Sequence, residues 1–146
     1  MTERFFHNDC EPLRVPVIKL AFLGDAVMEL MVREYLLTHK DAPFALMHKD
    51  KTRRVCATAQ AAAVAKILPL LTEEELAVYK RGRNTKPHNV PKNATPGDYS
   101  KATGLETLMG YLYIAGRFER LKELFVYMQD AENLEADKIE VEGIED

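Results

Sequence analysis

Leu20-Ala21-Phe22-Leu23-Gly24-Asp25-Ala26-Val27-Met28-Glu29 sets one carboxylate, Asp25, inside an apolar run. From Val17 to about Leu37 apolar residues recur on more than one helical face: Leu20, Phe22, Leu23, Val27, Leu30, Met31 and Tyr35. That pattern predicts a helix buried on most sides, or one with one side in a core and another in a subunit contact. Pro16 suits its first turn. An unpaired carboxylate taken into a core costs several kcal/mol, so Asp25 calls for a cation, a metal or a catalytic purpose. A second run of the same kind, Gly104-Leu105-Glu106-Thr107-Leu108-Met109-Gly110-Tyr111-Leu112-Tyr113, sets Glu106 among apolar neighbours.

Working outward, the whole chain reads as all-α. Residues 45–68 form a second long helical stretch, alanine-rich from Ala57 to Ala65. Thr72-Glu73-Glu74-Glu75 has the form of a capping box opening a short helix to about Lys80. Gly82, Pro87, Pro91, Pro96 and Gly97 then punctuate a basic loop over 82–97. The last helices are expected from about Asp98 to Ala115 and from Phe118 to about Gln129, with Gly116 between them. There is no strand alternation and no internal repeat.

The chain has 146 residues, of which 47% are apolar and 29% charged, the balance of one globular domain. That domain is expected over 1–129, followed by an acidic, frayed tail over 130–146. No run is long and apolar enough for a membrane span. The N-terminus lacks a secretory pattern, and Cys10 and Cys56 have no metal-ligand spacing. Free thiols in a cytoplasmic protein follow, with no support for zinc. The net charge of −3 hides an asymmetry. The tail holds eight acids and Lys138, so positions 1–129 carry a balance of +4. Lys80, Arg81, Arg83, Lys86, Lys92 and Lys101 concentrate in residues 80–101 against Asp98 alone, and Lys49, Lys51, Arg53 and Arg54 form a second cluster around Asp50.

Two isolated acids on two apolar helices suit magnesium, which takes oxygen ligands and is commonly held by one or two carboxylates plus substrate phosphate. The same pattern also allows each acid to pair with a buried cation such as Arg33 or Lys101. The basic loop can grip phosphates through Lys80, Arg81, Arg83, Lys86, His88 and Lys92, with Asn84, Thr85, Asn89 and Asn93 as neutral partners. It carries no aromatic residue for stacking on single strands, and it can equally be a solvated surface loop. Glu29, one turn after Asp25, reads as an ion-pair residue or as a further group in the same pocket. His7, His39 and His48 read as surface residues, and Met28, Met31, Tyr111 and Tyr113 as packing.

Phe22-Leu23-Gly24-Asp25-Ala26-Val27 resembles the core of the ribonuclease III signature, and Leu105 to Tyr113 resembles that family's second acidic helix. Arg81-Gly82-Arg83-Asn84 and Val90-Pro91-Lys92-Asn93 resemble the short branch called Mini-ribonuclease III. The resemblance covers about residues 17–128. It implies an all-helical homodimeric endonuclease that cuts double-stranded RNA with Mg2+, acts on a ribosomal RNA precursor at large-subunit ends, and leaves room for assistance from a ribosomal protein. Asp25 matches the signature aspartate, Glu106 the glutamate of the second helix, and Phe22 the ring that inserts into the partner. Arg81, Arg83, Lys86 and Lys92 would supply the RNA grip that a separate domain gives longer relatives, for which the 17 residues after Gln129 are too few.

Two departures weaken the match. Ala21 stands where the signature has a glutamate, and Thr103 where the second helix has an aspartate. Half of the usual four-carboxylate cluster is missing, which points to a variant active site with Thr103 orienting a water through its hydroxyl. The rival readings are a catalytically inactive dimer serving as an RNA-binding or ribosome-associated module, and a helical dimer used for protein contacts alone.

Overall fold

The computed structural model describes residues 4–6, 9–86, 90 and 92–129. His7, His88, Asn89, Pro87, Pro91 and the acidic tail over 130–146 lie outside the described residues. Among the described residues six α-helices follow in order: α1 Val17–His39, α2 Phe44–Val55, α3 Ala57–Ile67, α4 Glu73–Arg83, α5 Pro96–Ile114 and α6 Phe118–Met128. Short 3-10 turns occupy Pro12–Arg14 and Leu68–Leu70, and no strand occurs among the described residues.

The most enclosed helix is α5, with Leu105, Leu108, Met109 and Leu112 fully buried. Against it pack α1 through Leu20, Val27 and Met28, α3 through Val64 and Ile67, and α4 through Val78 and Tyr79. Of the two expectations for α1, burial on most sides is not met within one chain. Ile18, Phe22, Leu30 and Leu37 stand exposed on it, Phe22 by 83%.

Several boundaries differ from the sequence reading. The stretch 45–68 is two helices, because Cys56 is extended (φ −70°, ψ 159°) and caps both. Helix α4 runs to Arg83, so Arg81 and Arg83 sit on its last turn and not on a loop. The start of α5 lies at Pro96, where the Thr95 hydroxyl accepts from the Asp98 N–H at 3.0 Å. The capping box of α4 is formed as expected: Glu75 N–H donates to Thr72 Oγ1 at 3.1 Å, and Thr72 N–H to Glu75 Oε1 at 2.9 Å. Between α5 and α6, Gly116 takes φ +75° while Arg117 N–H closes onto Leu112 O at 2.9 Å.

Glu75 does a second task that its sequence position hid. It is only 2% exposed, and Arg120 of α6 forks onto both its oxygens at 2.9 Å while also donating to Leu70 O at 2.7 Å. Burial works to raise the Glu75 pKa, yet the bonds from Arg120 and Thr72 outweigh it and hold the carboxyl below its ordinary range. This pair ties α6 to the start of α4.

Candidate active site

The site is built on the crossing of α1 and α5. Glycine inside a helix costs about 1 kcal/mol against alanine, so Gly24 and Gly110 need a compensating contact. They have one in each other. A Cβ on Gly24 would lie 1.6 Å from the Glu106 carbonyl oxygen, and one on Gly110 would lie 2.0 Å from the Leu20 carbonyl oxygen. The two backbones therefore meet directly, at the residue before Asp25 and at Glu106 itself. The far side of this turn of α5 is closed by α4, since a Cβ on Gly82 would lie 2.4 Å from Thr107 Oγ1 and 2.9 Å from Gly104 Cα. The Glu106 turn is thus clasped between α1 and α4.

This crossing brings the two predicted acids together. Asp25 is exposed and Glu106 is half-buried. Burial first, and the Asp25 charge second, push the Glu106 pKa up to about 8 from its ordinary 4.5. The cations that could have neutralised the acids do not. Arg33 is engaged with Glu29 at 2.8 Å, and among the described residues neither Asp25 nor Glu106 has an ion-pair or hydrogen-bond partner. Two adjacent carboxylates with no cation form a donor set that fits a divalent ion, with water and phosphate completing its shell. No group of three His, Cys, Asp or Glu residues that could hold a metal occurs among the described residues. The two departures from the fuller acid cluster have clear surroundings. Ala21 is buried, and the Thr103 hydroxyl donates to Tyr99 O at 2.9 Å, leaving its lone pairs as acceptors.

Of the predicted RNA-contacting residues, Arg81 and Arg83 lie on the last turn of α4 and Lys86 follows it. Arg81 is exposed, with Nη1 donating to Leu13 O at 3.4 Å. The Arg83 guanidinium lies 5.8 Å over the Tyr79 ring and donates from Nε to Asn84 Oδ1. Lys86 and Lys92 are exposed. Gly82, between Arg81 and Arg83, packs on Gly104 and Thr107 of α5. The glycines that make these contacts were visible in the sequence as helix-interior glycines, and their role was missed.

Residues 18–117 match the Ribonuclease III domain family. This chain belongs to the ribonuclease III family. Its relatives include a Mini-ribonuclease 3 of Symbiobacterium thermophilum, 49% identical over 77% of this chain and 87% of the relative. Another is a Mini-ribonuclease 3 of Thermoanaerobacter sp., 45% identical over 77% of this chain and 79% of the relative. A crystal structure of a Fusobacterium nucleatum protein superimposes with a TM-score of 0.72 at 32% identity, covering 79% of this chain and 93% of that one. The chain is an endoribonuclease of this family's short Mini-ribonuclease III branch. No described helix is long and apolar enough to cross a membrane.

Proposed function

We propose that this endoribonuclease cuts double-stranded RNA with Mg2+ held by Asp25 and Glu106, in maturation of a ribosomal RNA precursor in the cytoplasm. The observation that carries the reading is the pair of uncompensated carboxylates fixed at the Gly24–Gly110 crossing. Magnesium, when bound, supplies the positive charge and Lewis acidity for hydrolysis of the phosphodiester. Asp25 offers its carboxylate from the exposed side, and Glu106 gives up its proton as the cation arrives. Thr103 keeps hydroxyl lone pairs available to orient water. Arg81, Arg83, Lys86 and Lys92 grip the backbone, which suits an A-form duplex recognised by shape and phosphates. Cutting of a labelled RNA duplex with magnesium, and none in its absence, is the expected result. A duplex that is bound but left intact would overturn this reading in favour of a binding module.

The grip has its own test. Arg81→Ala with Arg83→Ala should weaken duplex binding and flatten the plot of log affinity against log salt by up to about two phosphate equivalents. An unchanged slope removes both residues from the RNA contact.

A homodimer completes the proposal. Ile18, Phe22, Ala26 and Leu30 repeat every four residues on the exposed side of α1. A two-fold axis at Ala26 sets Phe22 against Leu30 of the partner subunit. Beside Leu30 an apolar groove of about 470 Å³ opens between α1 and α6, lined by Val27, Met31, Tyr113, Leu121 and Phe125, with room for a phenyl ring. Two sites so related would address both strands. Phe22→Asp should run as a monomer in sedimentation; a dimer of unchanged stability would refute this contact.

A further inference from the structure

Glu29 lies four residues after Asp25, on nearly the same face of α1 and one turn along. Its carboxylate is held by two cations, Arg33 Nη2 at 2.8 Å and Lys51 Nζ at 3.1 Å from the same oxygen. The Arg33 bond first and the Lys51 bond second keep its pKa below the ordinary value. Glu29 is therefore an ion-pair residue. One carboxylate needs one cation, and Arg33 on its own helix already supplies it. Lys51 comes from α2 and brings a second positive charge onto Glu29, the residue one turn along α1 from Asp25. Its side chain is only 16% exposed, and among the described residues Glu29 is its sole partner. Helix α2 packs on the core through the half-buried Met47 and Val55, and the ion pair with Glu29 holds the Lys51 ammonium against α1.

We propose that Lys51, anchored by Glu29, binds the RNA phosphate next to the one cut at Asp25 and Glu106. The proposal rests on the endonuclease reading of that acid pair. Four residues of α1 advance about 6 Å, close to the step from one backbone phosphate to its neighbour. An ammonium on a four-carbon stem suits a phosphate as a point charge, and such contacts set the position of a strand without reading its sequence. When Lys51 turns to phosphate, Arg33 still neutralises Glu29, so engagement strands no charge.

The test compares Lys51→Met and Lys51→Arg with the native protein. Binding is measured in an Asp25→Asn background with an RNA duplex at several salt concentrations, and cutting in the active protein with magnesium. Lys51→Met should lose about one phosphate equivalent of salt dependence and cut about tenfold more slowly, with Lys51→Arg restoring both. A duplex carrying one methylphosphonate beside the cut phosphate should bind more weakly to the Lys51 protein, while Lys51→Met should not distinguish it from the all-phosphate duplex. An unchanged salt slope, or an equal methylphosphonate penalty in both proteins, would show that Lys51 only ties α2 to α1 and would overturn the proposal. If the native protein does not cut the duplex at all, the endonuclease reading itself fails, and this proposal with it.

Discussion

Glu106→Gln is expected to lower the rate of RNA duplex cutting by about a hundredfold or more and, at the same time, to stabilise the metal-free protein near pH 8. Both effects come from one carboxyl. The amide keeps the shape of the side chain but cannot match a carboxylate as a ligand, so the cation loses half of its protein donor set. The stability effect follows from the raised pKa. Below about pH 4.5 the folded and unfolded chains both hold the Glu106 proton, and its contribution is fully present. Between 4.5 and about 8 the unfolded chain releases the proton while the folded chain keeps it. Stability therefore falls as pH rises through this window, by on the order of a few kcal/mol. Thermal melts across pH 4.5–9 should show this decline in the native protein and lose most of it in Glu106→Gln. Magnesium should restore stability at the alkaline end, since it binds the ionised form. Asp25→Asn should abolish cutting in the same way but soften the decline less, because burial outranks the Asp25 charge among the causes. A native melt that is flat across the window would remove the raised pKa, and full cutting by either variant would remove its residue from the site.

Gly24→Ala is the second large effect. The added Cβ would fall 1.6 Å from the Glu106 carbonyl oxygen and 2.9 Å from the Gly110 amide nitrogen. Backbone atoms cannot step aside as the tip of a flexible side chain can. Helices α1 and α5 must part, opening the packing of Leu20, Val27 and Met28 on Leu105, Leu108 and Met109. Overpacking commonly costs 1–3 kcal/mol; a methyl driven into backbone at the central crossing should exceed about 4 kcal/mol, in the rare and diagnostic range. Urea unfolding is the measurement. Activity should fall further than stability alone explains, because parting the helices also moves Asp25 away from Glu106. A variant that keeps its unfolding midpoint would contradict the close crossing. Alanine at Gly97, where a Cβ meets nothing nearer than 4.0 Å, is the control for an ordinary helical glycine.

Much of this protein was readable from local pattern. Periodicity gave the helices, and Thr72 with Glu75 gave the start of α4, because a capping box is satisfied within four consecutive residues. The two acids stood out as single charges in apolar runs. Other features depend on partners far apart in sequence. Cys56 breaks one apparent helix into two although the alanine-rich stretch has high helix propensity throughout. Glu75 looked like a cap and is also the buried partner of Arg120, 45 positions away. Arg81 and Arg83 looked like loop residues, since Gly82 between them reads as a breaker; packed on Gly104 and Thr107, that glycine instead lets α4 continue.

By itself, then, the sequence determined the all-helical class and the branch of the family and singled out the two acids as candidates, because residue type and spacing are local quantities. Whether Asp25 and Glu106 face each other or separate cations could only be decided in three dimensions. The deciding contact is backbone against backbone at Gly24 and Gly110, where the absence of side chains lets two acid-bearing helices come close enough for one carboxyl to feel the other's charge. The pairing of Glu29 with both Arg33 and Lys51 was settled there as well. It gave Glu29 two cations, one of them from a helix distant in sequence.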